Sequence, residues 1–320
     1  MSTGGARVPG RPTQPESRRV AGAGVGLHLL DYGNPDAPPV ILVHGIRDLA
    51  WSLDVVARPL ASRYHVLALD LRGHGDSETS GNYSQPLFVA DLRQVITDLG
   101  LDDLMLVGHS LGAQVICRYA ALFPEQVRAV VSIEGLGPPI WPGEGDGRRQ
   151  QARARVEMLR QLRSQGRVMA DLDEAADRVA RKHPRLDPAR ARMLADHGTK
   201  PCPGGITWKW DPRVQSTWAS VTREDNEQHW QWVECPTLLV TAGSAGSFWR
   251  ERRGMKEAPS TGLPPEELAR RLACFRAGRH TEIADSGHMV HFDAPDELNA
   301  RIAAFLSEVE MPSETAGTGR

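Results

Sequence analysis

Ser110, held in Gly108-His109-Ser110-Leu111-Gly112, is the residue best placed for covalent chemistry. The apolar run 104–107 precedes it, and the helical stretch 113–122 follows. A strand turning sharply into a helix presents one hydroxyl at the sheet edge, and its neighbours must lack bulk. The helix amino terminus beneath favours developing negative charge. Such a serine attacks a carbonyl if a base takes its proton and two amides receive the oxyanion. In this order of elements the base comes last in the chain. His288, in Asp285-Ser286-Gly287-His288, fits, and Gly287 gives the loop freedom to bring the ring round. His291 competes; its other reading is packing or loop bonding. Leu111, after the nucleophile, supplies one oxyanion amide. Ile46, next after His44-Gly45 at the end of the run 40–43, supplies the second. His44 itself reads as structural.

Holding these groups together takes a sheet. Apolar runs at 40–43, 66–69, 104–107, 127–133 and 236–241 alternate with helical stretches at 50–62, 85–99 and 113–122. In 85–99, Phe88, Leu92, Val95, Ile96 and Leu99 recur at helical spacing. A helix at 266–274, a strand at 280–284 and a closing helix at 295–306 follow, and 20–30 reads as the first core strand. This alternation predicts an α/β fold, a mostly parallel twisted sheet flanked by helices, with the site at the carboxyl ends of the strands. Residues 138–231 break the pattern, with no convincing strand, helices at 150–165, 172–182 and 188–197, and a Trp-rich stretch at 206–232. The expected organisation is a disordered tail at 1–18, core at 19–137, an inserted helical lid at 138–231, core again at 232–310 and a disordered tail at 311–320.

The 320 residues, 40% of them apolar, suit one core with an insertion. A net charge of −2 gives no reason to expect nucleic acid or an anionic membrane as partner. No stretch reaches the ~18 apolar residues of a membrane span. Ser17-Arg18-Arg19 suggests a twin-arginine export signal. Three glycines and a histidine interrupt the segment behind it, however, and no small-residue cleavage site follows. Cys117, Cys202, Cys235 and Cys274 are widely spaced and form no CxxC pair. Neither a zinc site nor a disulfide framework is expected, and the thiols suit the cytoplasm.

The run His44-Gly45, Asp70-Leu71-Arg72-Gly73-His74-Gly75-Asp76-Ser77, Gly108-His109-Ser110-Leu111-Gly112 and Gly287-His288 resembles the α/β-hydrolase superfamily over roughly 20–137 and 232–308. The branch it looks most like is the lid-bearing serine-hydrolase-like group, related to esterases, epoxide hydrolases and haloalkane dehalogenases. The segment Gly205-Ile206-Thr207-Trp208-Lys209-Trp210-Asp211-Pro212 resembles one common in such serine hydrolases. The motifs are specific for the fold and poorly specific for substrate.

The resemblance fails at one place. Most such hydrolases carry an Asp shortly after the strand that follows the lid, where this chain reads Gly243-Ser244-Ala245-Gly246-Ser247-Phe248-Trp249, with no acid until Glu251. A catalytic histidine needs a carboxylate to hold its tautomer. Glu134, ending the run 127–133, is the candidate. Ser132-Ile133-Glu134 resembles the arrangement in haloalkane dehalogenases that take their acid from this strand end. Glu251 and Asp211 are the alternatives.

In the related dehalogenases and epoxide hydrolases the nucleophile is Asp, so Ser110 points instead to acyl transfer. The expected reaction is hydrolysis of a carboxylic ester, thioester or lactone through an acyl-enzyme. No metal cluster or dinucleotide fingerprint appears, so no cofactor and no metal is expected. Eight Trp against six Phe is an unusual ratio. Most are lid core, but two or three are expected to wall an apolar pocket, with Trp208, Trp210 and Trp141 the candidates. The substrate is therefore read as a small, largely apolar acyl compound. Between Arg148 and Arg192 thirteen Lys/Arg face six Asp/Glu. That is either a solvated face or a surface for an anionic acyl-carrier protein. The fold also hosts cofactor-free lyases and cyclases, and receptors, which stand as the other function classes.

Overall fold

The apolar runs become strands because helices cover both their faces. In chain order, β1 (Glu16–Ala21) and β2 (Gly26–Asp31) form an antiparallel hairpin. β3 (Pro39–Val43), α1 (Asp54–Leu60), β4 (His65–Asp70), α2 (Gln85–Asp98), β5 (Leu104–His109), α3 (Leu111–Leu122) and β6 (Val127–Ile133) follow. An insert carries α4 (Arg148–Arg160), β7 (Val168–Met169), α5 (Leu172–Lys182), α6 (Pro188–Gly198), β8 (Thr199–Cys202), β9 (Gly205–Trp208) and α7 (Arg223–Trp232). The main sheet resumes with β10 (Thr237–Ala242), α8 (Ala245–Arg253), α9 (Pro265–Leu272), β11 (Gly278–Ile283), α10 (Val290–Asp293) and α11 (Pro295–Glu310). The computed structural model describes residues 14–137, 148–219, 221–253 and 262–310.

The main sheet has the order β1-β2-β4-β3-β5-β6-β10-β11 and is parallel from β4 to β11. β3, β4, β5, β6 and β10 are buried almost throughout, as central parallel strands must be. Alternate residues serve opposite faces. Ile41, Leu106, Val130 and Leu239 pack with α2 and α3. Leu42, Val107, Val131 and Val240 pack with α1 and α11. The outer strands β1 and β11 expose charged side chains, which blunts the sheet edges.

Three expectations change. The stretch 20–30 is not one strand but parts of two, turning at the glycines that had read as interruptions. The 1–18 tail gives way at Glu16, where β1 begins; Arg18 pairs with Asp31, and Arg19 donates to the Asp76 carbonyl. A strand so polar, at best half-buried on one face, is held by such partners. The insert, expected without strands, holds a three-stranded antiparallel sheet, β7-β9-β8. The tail at 311–320 lies outside the described residues.

Arg72 and Asp91 form a buried bidentate pair that also binds the β1–β2 turn. Arg72 Nη2 donates to Asp91 Oδ1 at 2.6 Å and to the Ala23 carbonyl at 3.0 Å, and Ala23 N–H donates to Asp91 at 2.9 Å. Arg72→Leu leaves that carboxylate uncompensated. It should destabilise the protein by about 3–5 kcal/mol, read as a lowered urea midpoint. A loss under about 1 kcal/mol would count against the pair as an anchor.

Candidate active site

Gly108 and Gly112 let β5 turn into α3 at close quarters. A Cβ on Gly112 would stand 2.1 Å from the Val43 carbonyl oxygen, and one on Gly108 2.7 Å from the Ala113 nitrogen. Ser110 between them takes φ 53° and ψ −110°, a backbone that L residues rarely adopt. Its N–H donates to the Ile133 carbonyl at 2.9 Å, tying the turn to β6.

Ser110 Oγ lies 3.0 Å from His288 Nε2, and His288 Nδ1 lies 2.9 Å from Glu134 Oε2. All three side chains are buried. Donation of the Nδ1 proton to Glu134 leaves Nε2 free to accept the serine proton. Glu134 follows β6 with φ 52° and is held from β10: its N–H donates to the Val240 carbonyl and its Oε1 accepts the Ala242 N–H, both at 2.8 Å. Burial pushes this carboxyl up to about 8; the Ala242 amide opposes the shift and the charge of Glu282 adds to it. An imidazolium formed on His288 during the reaction would favour the carboxylate form of Glu134.

His291 and Asp211 are placed elsewhere. His291 is buried against His109, ring centroids 4.7 Å apart, and makes no hydrogen bond to Ser110. Asp211 accepts from Tyr83 Oη at 2.8 Å and from Arg213 Nη2 at 2.6 Å. The Glu251 side chain lies outside the described residues. The His288 loop is fixed by the Gly287 N–H, which donates to Asp293 at 2.8 Å, and by the Ser244 N–H to the Ser286 carbonyl at 2.9 Å. Gly287 itself takes no positive φ, so its role is not the freedom its sequence position suggested.

On the oxyanion side, Leu111 opens α3, where an amide has no intrahelical acceptor. Ile46 follows Gly45, at which a Cβ would lie 3.4 Å from Ser110 Cβ. Asp70 secures this loop by accepting the Ala50 N–H at 2.6 Å. His44 spends both ring nitrogens on backbone: Nδ1 lies 2.6 Å from the Gly45 oxygen, and Nε2 accepts the Leu71 N–H at 3.1 Å. That is the structural role.

Two groups around His288 escaped the sequence reading. Phe248 stacks on its ring at 4.0 Å and 14°, and Trp249 meets it edge-on at 5.2 Å. Both belong to α8, within the segment that lacks the expected acid. His109 Nε2 donates to the His288 carbonyl at 2.8 Å. Burial and the neighbouring His288 hold His109 down to about 3, so its ring is neutral.

The tryptophans divide. Trp208 and Trp210 stack on each other at 4.8 Å. Trp208 packs on the insert's own small core and stands near Leu49, three residues beyond Ile46. Trp230 is buried against Phe275, and Trp141 lies outside the described residues. The insert is bound to the core by Lys209–Asp76 and Arg185–Asp285 ion pairs and by Trp51 stacked on His197 at 3.9 Å.

Residues 38–295 match the family model described as alpha/beta hydrolase fold. Serine hydrolase-like protein of Danio rerio is 24% identical over 292 residues, 89% of this chain and 86% of that one. Epoxide hydrolase 4 of Mus musculus is 28% identical over 126 residues, 38% of this chain; the chain thus spans about a third (35%) of that relative. Among solved structures, a thioesterase domain from the curacin biosynthetic pathway superposes with a TM-score of 0.76 at 26% identity, over 91% of this chain and 99% of that one. Among the described residues no helix is long and apolar enough to cross a membrane.

Proposed function

This chain belongs to the α/β-hydrolase family, and from that premise we propose that it is a serine hydrolase of carboxylic esters, thioesters or lactones. The observation that carries the reading is the hydrogen-bonded series Ser110–His288–Glu134, with links of 3.0 and 2.9 Å. Ser110 Oγ attacks the carbonyl carbon while His288 Nε2 takes its proton. Glu134 stabilises the imidazolium, and the Leu111 and Ile46 amides receive the oxyanion. His288 then protonates the leaving group, and water attacks the acyl-enzyme by the reverse path. The insert acts as a lid. Its Arg178, Arg185 and Arg192 are each ion-paired within the chain, which favours a free apolar substrate over a carrier protein.

The test is a fluorophosphonate probe followed by peptide mass spectrometry. The expected result is a phosphonyl adduct on Ser110, and a burst with p-nitrophenyl esters; an unlabelled Ser110 would overturn the reading. Trp208→Ala and Trp210→Ala should raise KM for medium-chain esters more than for acetate, since lost apolar contact scales with chain length. Equal effects on both chain lengths would remove these rings from the pocket.

A further inference from the structure

Beside the triad, three side chains turn their donor atoms toward one another: Asp48 on the loop after β3, His109 next to Ser110, and His291 in α10. Their ligand-type atoms lie within 4.8 Å of one another. His109 and His291 are each 1% exposed. His109 Nδ1 and both ring nitrogens of His291 lack a hydrogen-bond partner among the described residues. Buried polar atoms are almost always satisfied, so three orphans in one place call for an occupant.

The donor chemistry defines the occupant. His109 uses Nε2 to donate to the His288 carbonyl, which leaves Nδ1 with its lone pair outward. Asp48 receives the Ser52 hydroxyl at 2.9 Å, the kind of support that ligating carboxylates have. Two imidazoles and one carboxylate suit zinc and its neighbours, whereas calcium and magnesium take oxygen ligands. His291 also stands in the wall of a cavity of about 190 Å³ between insert and core.

We propose that Asp48, His109 and His291 bind one divalent transition-metal ion of the zinc class, and that its occupation slows the chemistry at Ser110. The binding stands on the geometry alone; the slowing rests on the serine-hydrolase reading. Ligation draws on three points of the site at once. His109 precedes the nucleophile and anchors the His288 carbonyl. Asp48 lies two residues beyond the oxyanion residue Ile46. His291 lies three beyond His288. An ion pulling these together holds the backbone away from the geometry that attack requires.

Equilibrium dialysis of the full chain against Zn²⁺, with Co²⁺ absorption as a second readout, tests the site without any substrate. One ion per chain is expected. Asp48→Asn and His291→Asn should each weaken binding by roughly 100-fold or more, since even outer-shell losses cost 10- to 100-fold. Folding of each variant is checked by circular dichroism, and either one suffices. His288→Ala removes the neighbouring triad imidazole and should retain the ion. No ion on the wild-type chain, undiminished binding in a folded Asp48 or His291 variant, or loss of binding in His288→Ala would overturn the site. Zn²⁺ should also lower kcat for an ester in the wild type, and in the Asp48 and His291 variants only at roughly 100-fold higher concentration. Full turnover by the zinc-loaded enzyme overturns the slowing. A chain inactive on every ester overturns the functional reading and with it the slowing, while dialysis still decides the site.

Discussion

Ser110→Ala is expected to cut kcat for a p-nitrophenyl ester by roughly 10⁵–10⁶, the scale on which a triad nucleophile is lost. The fold should hardly notice. The turn at Ser110 is fixed by backbone, through its N–H to the Ile133 carbonyl and the two flanking glycines. Alanine at φ 53° bears the same Cβ strain as serine. What goes is one hydroxyl and its hydrogen bond to His288, so Tm should move by less than about 3 °C. The residual rate measures what the Leu111 and Ile46 amides achieve with water as nucleophile. Activity within tenfold of the wild type would mean that another group attacks.

The turn at Ser110 was legible because local chain geometry demands particular residues there. A turn with a Cβ position 2.1 Å from a carbonyl oxygen admits glycine alone, so Gly112 marks the turn in the sequence itself. The central strands were legible for a similar reason, since burial on both faces leaves uninterrupted apolar runs. β1 was hidden because an edge strand satisfies its polar residues through partners outside itself, Asp31 on β2 and the Asp76 carbonyl 57 residues on from Arg19. The β8–β9 hairpin was hidden by its brevity. Four-residue strands with no buried residue, one of them carrying Pro201, offer no period to detect.

Contacts across the sheet edge were the least legible. Phe248 reaches His288 over 40 positions of sequence, and no spacing rule connects them. Asp48 comes from the loop after β3, His109 from the end of β5 and His291 from α10, and the parallel topology brings them to one edge. Cysteine and histidine spacing finds metal sites when the ligands share a hairpin or a helix; it is silent when each comes from a different strand end. The contact between Glu134 and His288 is the exception, pointed to by the acid missing between Gly243 and Trp249.

Glu134→Gln should lower kcat by roughly 10³–10⁴ without lowering stability, a combination that separates catalytic from structural importance. The amide keeps the shape, and its oxygen still accepts the Ala242 N–H that Oε1 accepts now at 2.8 Å. Toward His288 it presents a donor or an uncharged acceptor. The amide donor turns the imidazole to the tautomer whose Nε2 carries hydrogen and cannot take the Ser110 proton. The uncharged acceptor fails to stabilise the imidazolium. Stability runs the other way. The carboxyl is pushed from its ordinary 4.5 up to about 8, burial being the main cause, so a negative charge here costs folding free energy at every pH above 4.5. Removing it should leave Tm unchanged or raise it. The pH profile gives a further sign. Without the carboxylate the imidazole holds its proton less tightly, so the acid limb of kcat/KM should move to lower pH while the plateau falls. With Glu134 as the acid, Glu251→Gln should cost less than about tenfold. A larger loss from Glu251 than from Glu134, or a drop in Tm that tracks the drop in kcat, would take the acid's role away from Glu134.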